Sequence, residues 1–271
     1  MENAGRNQRK TIFALAGLAL MALVFGFVLL LGRAERRGSR CTGLDVVIRD
    51  SSEHRFVTAP DVETLLSDEI GAVKGKDLDS LDLDSLDLAD IEHRLNRGVG
   101  ILRSEVWLTP DGLLHACIDQ RIPVVRFQGP QGGYYCDAEG YILPLNANAI
   151  RVQTVDGALG YIPEEGFSGF PEEGPGKEWL DRMLGLIAVI RRSDTWSANI
   201  AQIHVEEGSG ELTLILRDRP ERFLFGQPEN AQAKLARMEQ YFRKVLPQLP
   251  EDAAYKTVNV KYKGQIICRN K

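Results

Sequence analysis

Twenty-two consecutive residues near the start of the chain, 11–32 (TIFALAGLALMALVFGFVLLLG), carry no charged side chain. At about 1.5 Å per residue, a helix over this run spans the roughly 30 Å hydrocarbon core of a bilayer. A cleavable signal peptide is the alternative, but its apolar region runs only about 7–15 residues and ends at a small-x-small site. Here the run ends in Leu-Gly-Arg-Ala-Glu-Arg-Arg with no Ala-x-Ala, and Cys41 follows Gly38-Ser39-Arg40, unlike the apolar approach to a lipidated cysteine. The run therefore predicts an uncleaved transmembrane helix over 11–32.

Charge divides at the same place. Residues 1–40 hold seven Lys/Arg against two Asp/Glu, and residues 41–271 hold 26 against 36, so the net −5 combines +5 with −10. Flanking charges do not orient the helix, because Arg6, Arg9 and Lys10 stand on one side and Arg33, Arg36, Arg37 and Arg40 on the other. Topology does: a ten-residue leader is expected in the cytoplasm, and a long following domain translocates largely regardless of charge. The remaining 44% apolar, 26% charged chain has the composition of a folded body, excluding a disordered or multi-spanning protein.

Residues 44–49 alternate as a half-buried strand, and Thr58 with Asp61 forms a capping box ahead of Val62, Leu65 and Leu66. A five-residue near-repeat, Asp77-Leu-Asp-Ser-Leu, occupies 77–91. It has no glycine for the sharp turn of a calcium loop, so it reads as a loop entering a helix capped near Asp87, with Leu88, Ile91 and Leu95 on its buried face. Strands are expected at 101–108 and 113–125, around the turn Thr109-Pro-Asp-Gly112. His115 falls on the second as a surface position. The remainder predicts a hairpin about Glu139-Gly140, a strand at 149–159, a Gly/Pro/Glu-rich surface loop at 160–177, and a helix at 179–190. Strands at 200–205 and 211–216 flank Gly208-Ser-Gly210; a short strand follows at 222–226, then a helix at 230–246. The last element is a hairpin of 255–262 and 265–268 about Lys263-Gly264.

Catalytic constellations are missing from the sequence: no G-x-S-x-G, H-E-x-x-H, C-x-x-C or P-loop occurs, and His54, His93, His115 and His204 lie far apart. No cofactor or metal is expected. Cys41, Cys117, Cys136 and Cys268 allow three pairings or free thiols, and spacing does not choose among them.

An ordered set of segments resembles the FtsQ/DivIB family of bacterial cell-division proteins. It runs through Gly75-Lys-Asp-Leu78, Ile91-Glu-His-Arg-Leu95, Ser104-Glu-Val-Trp-Leu108, Asp119-Gln-Arg-Ile-Pro123-Val-Val-Arg126 and Asp137-Ala-Glu-Gly140 with Pro144. Phe225-Gly226, Lys234-Leu235, Tyr241-Phe242 and Val258-Asn-Val-Lys-Tyr-Lys-Gly-Gln265 complete it. Gly98-Val-Gly-Ile-Leu102, where many members carry a Pro-aromatic pair, and Asp50, where a glycine often ends the first strand, depart from the pattern.

The resemblance implies an α+β protein: a cytoplasmic tail at 1–10, a single N-terminal transmembrane helix at 11–32 and a juxtamembrane linker at 33–42. A POTRA domain (β-α-α-β-β) follows at 43–122, then a mixed β-domain with two helices at 123–271. It also implies a non-enzymatic scaffold in the inner membrane at the septum, its C-terminal domain outside the cytoplasm. Such a scaffold binds FtsB/DivIC-like and FtsL-like bitopic partners and helps to control septal peptidoglycan synthesis. The matching contact surface is a C-terminal edge strand: Val260, Lys261, Tyr262, Lys263, Gly264, Gln265, Ile266 and Ile267. Edge strands offer unpaired N–H and C=O groups to an added strand. Lys261 and Lys263 suit acidic partner residues, and Tyr262 an aromatic anchor. The alternative is a membrane-anchored exported enzyme acting on the cell wall, which requires converging carboxylates or a nucleophile.

Overall fold

The computed structural model describes residues 20–21, 23–27, 43–49, 56–70, 87–109, 113–130, 132–145, 150–250 and 254–270. The expected tail at 1–10, most of the helix at 11–32, the linker at 33–42, Cys41, the turn at 110–112 and most of the Asp/Leu repeat lie outside the described residues. Residues 20–21 and 23–27 are helical. Among the described residues no helix is long and apolar enough to cross a membrane.

The folded chain forms two units, dividing near Asp119 and Gln120. The first runs β1 (Gly43–Arg49), α1 (Ala59–Ile70), α2 (Leu88–Leu95), β2 (Ile101–Leu108) and β3 (Leu113–Gln120). Its sheet has the order β1-β3-β2, with β1 parallel to β3 from Gly43 opposite Leu113 to Arg49 opposite Asp119. Parallel neighbours need a long crossover, and α1 and α2 supply it. Both helix starts follow their sequence signals. The Thr58 N–H and hydroxyl donate to the Asp61 carboxylate at 2.8 and 2.6 Å, and Asp87 accepts from the Ala89 and Asp90 amides at 3.1 Å. Val62, Leu66, Ile91 and Leu95 are buried as their spacing requires. His115 is held rather than free on the surface: its Nδ1 lies 3.0 Å from Asp45, and its ring stacks on Trp107 with centroids 5.1 Å apart.

The second unit comprises β4 (Pro123–Gly129), β5 (Gly132–Asp137), β6 (Ile142–Pro144), β7 (Gln153–Gly157), α3 (Pro175–Arg191), α4 (Asp194–Asn199), β8 (Ile200–Val205), β9 (Leu212–Leu216), β10 (Arg222–Gly226), α5 (Ala231–Gln240), β11 (Thr257–Asn259) and β12 (Ile267–Arg269). One nine-stranded sheet holds them in the order β12-β11-β10-β9-β8-β7-β4-β5-β6. The parallel pairs β7/β8 and β10/β11 are the ones joined through helices, α3 with α4 and α5 respectively. Sheet side chains Phe127, Val155, Ile203, Leu214, Phe223 and Val258 pack with Leu180, Met183, Ile187, Leu235 and Met238 from the helices into one core. Each such side chain contributes about 1.5–3 kcal/mol by leaving water. Intervening sheet positions are polar: His204 Nδ1 meets Asp156 at 2.9 Å, and Thr213 donates to Glu206 at 2.8 Å.

The structure corrects several elements. The strand expected at 113–125 is two, because Pro123 has no N–H for a ladder and Arg121 turns to Asp137, 2.6 Å away, with its guanidinium stacked 3.8 Å from the Tyr141 ring. The strand expected at 149–159 narrows to β7. Among the described residues the β-domain has three α-helices rather than two, since α4 forms on a Ser193 cap that accepts from the Trp196 amide. The helix expected over 230–246 stays α only to Gln240; a π turn, Tyr241–Val245, and a 3-10 turn, Leu246–Gln248, follow. Cys117, Cys136 and Cys268 are free thiols, and burial pushes the Cys136 and Cys268 pKa values up.

Candidate partner-binding edge

A sheet has two edges, and the two in the second unit differ. At one, β6 ends in Pro144, and Gly169 adds a bridge beyond it: the Ile142 amide donates to the Gly169 carbonyl at 2.8 Å, and the Gly169 amide returns to Ile142 at 3.2 Å. That edge is covered. At the other, β12 pairs with β11 alone, with Thr257 opposite Arg269, Val258 opposite Cys268 and Asn259 opposite Ile267. Its outer side is the open edge of this sheet among the described residues.

The strand is shorter than the sequence suggests, so the expected contact residues separate into three groups. Val260 belongs to the core: it is fully buried, its N–H donates to Leu224 at 3.0 Å, and its carbonyl accepts from Arg237 Nε at 2.9 Å. The first bond continues the β10/β11 ladder past Asn259, and the second gives the Val260 carbonyl to Arg237 instead of to β10, so β11 ends at Asn259. Lys261 is spent internally. Its ammonium pairs with Glu211, its amide donates to Asn259 Oδ1 at 3.0 Å, and its methylenes lie over Gly226. Tyr262, Lys263, Gly264 and Gln265 form an exposed turn, with Gly264 at φ +78°, where the missing Cβ makes the left-handed backbone easy. Ile266 is half-buried against the core. Of the eight, Ile267 alone lies in β12, and it is 37% exposed.

The edge thus joins a three-residue strand, unpaired on its outer side among the described residues, to a turn that raises Tyr262, 52% exposed, and Lys263. An extended peptide placed there gains main-chain hydrogen bonds from β12 and side-chain contacts from the turn. Three residues give few ladder bonds, so side chains must supply much of the selectivity. Lys263 has no carboxylate within ion-pair distance among the described residues, whereas Lys261 pairs with Glu211.

The support behind this edge was not legible in sequence. Arg237 on α5 and Glu211 before β9 fix Val260 and Lys261 from 23 and 50 residues away. No local signal announces either pairing. Among the described residues no group of His, Cys, Asp and Glu side chains could hold a metal ion.

The family model for FtsQ/DivIB, C-terminal related, matches residues 122–269, and the model for a POTRA-like domain matches residues 39–119. No curated protein matches the chain. The two matches together cover both folded units, and the first alone covers more than half of the chain: this protein belongs to the FtsQ/DivIB family of cell-division proteins.

Proposed function

We propose that this chain is a membrane-anchored scaffold of the bacterial division machinery that recruits small bitopic partners by strand addition at β12. Membership of the family implies a role in cell division. The proposed partners are FtsB/DivIC-like and FtsL-like chains, a class that the membership supports. Control of septal peptidoglycan synthesis from the inner membrane is part of the same reading. One observation carries the reading: β12 is left open while the opposite edge of the same sheet is closed by Gly169. Open edges are an aggregation hazard that proteins ordinarily blunt, so one bordered by an exposed aromatic and a lysine suits a partner. The anchor reading draws support from residues 20–21 and 23–27, where Leu20, Met21, Leu23, Val24, Phe25 and Phe27 are helical and exposed.

The test is co-purification of the two partners with the full-length chain. Tyr262→Glu changes the exposed turn and Cys268→Pro removes an N–H that faces outward from the edge strand, so the domain should melt within a few degrees of wild type. Both variants are expected to lose the partners, while Lys261→Gln, which removes an internal ion pair, loses stability before it loses binding. Recovery of both partners at wild-type yield by the Tyr262 and Cys268 variants would exclude strand addition here. In cells, depletion should give filaments without septa.

A further inference from the structure

Away from β12, three arginines converge on a cleft of about 480 Å³ in the second unit. Arg151 lies two residues ahead of β7, Arg191 is the last residue of α3, and Arg217 follows β9 directly. Gln153, Ser197 and Ala198 line the space between them, and no acidic residue lines it. The neutral groups are already committed: Gln153 Nε2 donates to the Ser197 carbonyl at 2.9 Å, and the Ser197 hydroxyl donates to Asp194 at 3.2 Å. The cations are not. Arg217 Nε donates to the Ala198 carbonyl at 3.3 Å, which leaves its two terminal nitrogens without a protein acceptor among the described residues. The Arg151 and Arg191 side chains have no hydrogen bond or ion pair among the described residues, not even with Asp194, close to Arg191 in sequence.

Ordinary roles explain part of this. Arg191 in the last turn of α3 complements the helix dipole, and Arg217 fastens the end of α4. Neither role explains why three arginines from separate parts of the unit line one cleft, in a body whose residues 41–271 carry ten excess negative charges. Gathering like charges is unfavourable unless an anion offsets it. Guanidinium forks match the oxygens of phosphate, which presents several acceptors and more than one charge. We propose that this cleft binds a phosphate or diphosphate group. Either a soluble compound or a lipid head group can bring it. A second groove of about 250 Å³ shares Arg191 and is walled by Val124, Leu184, Ile187 and Ala188, an apolar path for a lipid chain beside the head group.

Titration calorimetry of the full-length chain in uncharged detergent at low ionic strength tests the site, with pyrophosphate, dioctanoyl phosphatidic acid and a hexaglutamate peptide as probes. At least one phosphate probe should bind, weakening about ten-fold with each of Arg151→Gln and Arg191→Gln and further with both, because each removes a charge-assisted hydrogen bond. Both substitutions fall on exposed side chains without intramolecular bonds, and the pair leaves the Arg217–Ala198 contact intact, so an unchanged melting temperature accompanies the loss. Arg243→Gln, on a side chain outside the cleft, should leave binding unchanged. Tighter binding of the phosphatidic acid assigns the head group to a lipid; equal or tighter binding of pyrophosphate assigns it to a soluble compound. The proposal is overturned if neither phosphate probe binds, if the double variant binds as wild type does, or if hexaglutamate outcompetes both, which would make the cleft a protein contact.

Discussion

Glu221 is fully buried, yet it remains a carboxylate. Burial alone would raise its pKa, but Arg219 Nε at 3.1 Å and the Tyr241 hydroxyl at 3.0 Å both donate to it and hold it below the ordinary carboxylate range. The same arrangement pushes Tyr241 up, through burial first and then the bond to Glu221, so the phenol keeps its proton and stays the donor. A carboxylate depressed in the folded state contributes stability above its unfolded pKa of about 4.3, and that contribution is lost as pH falls through the folded value. Glu221→Gln should therefore cost about 1–3 kcal/mol at pH 7, since it removes the charge from both bonds. Urea melts of variant and wild type should converge as pH is lowered from about 5 to 3, below the carboxylate range. A gap that stays constant over that interval would mean the ionised form is not what matters.

At the scale of elements, the Gly/Pro/Glu-rich stretch at 160–177 shows how a loop becomes part of the architecture. Tyr134 Oη donates to the Tyr161 carbonyl at 2.9 Å, Gly169 bridges to Ile142, and Gly160 sits so close to Trp179 on α3 that a Cβ there would run into the indole. Gly160→Ala should destabilise by about 1–3 kcal/mol through overpacking. Gly185→Ala, inside α3 with open space where its Cβ would go, should stabilise by about 0.5–1 kcal/mol. Opposite signs from one chemical change, read by urea melts, separate close approach from helix propensity. Elements with their own periodicity and stops were legible in the sequence: the Asp87-capped α2, the apolar stripe of α3, and β8 and β9 around Gly208 and Gly210. Those decided by distant partners were not. Arg121 breaks away from β3 for Asp137, sixteen residues on, and the Val260 carbonyl turns from the sheet to Arg237. Helix α4 spans six residues, too few to show a period. The arginine cleft escaped for the same reason, since its members come from positions 151, 191 and 217.

Across the whole chain, charge and apolar character are sorted by position: +5 in residues 1–40 around an uncharged run of 22, and −10 in the body that follows. The sorting matters because a basic, apolar leader and an acidic, mixed body favour different surroundings. The leader can place its uncharged run in a bilayer while the body, whose apolar side chains are used in its own core, gains nothing from leaving water. Membrane attachment should then depend on residues 1–42 alone. The full-length chain is expected to stay in the membrane pellet after alkaline carbonate washing, whereas a chain of residues 43–271 should appear in the soluble fraction with its melting transition retained. Orientation yields to a second readout: an epitope on the C-terminus should be digested by protease added outside spheroplasts, and one on the N-terminus should be protected. Carbonate extraction of the full-length chain would show that 11–32 does not span. Retention of the 43–271 chain on membranes would instead shift attachment to the body, where a lipid-phosphate ligand of the arginine cleft is the first candidate to test.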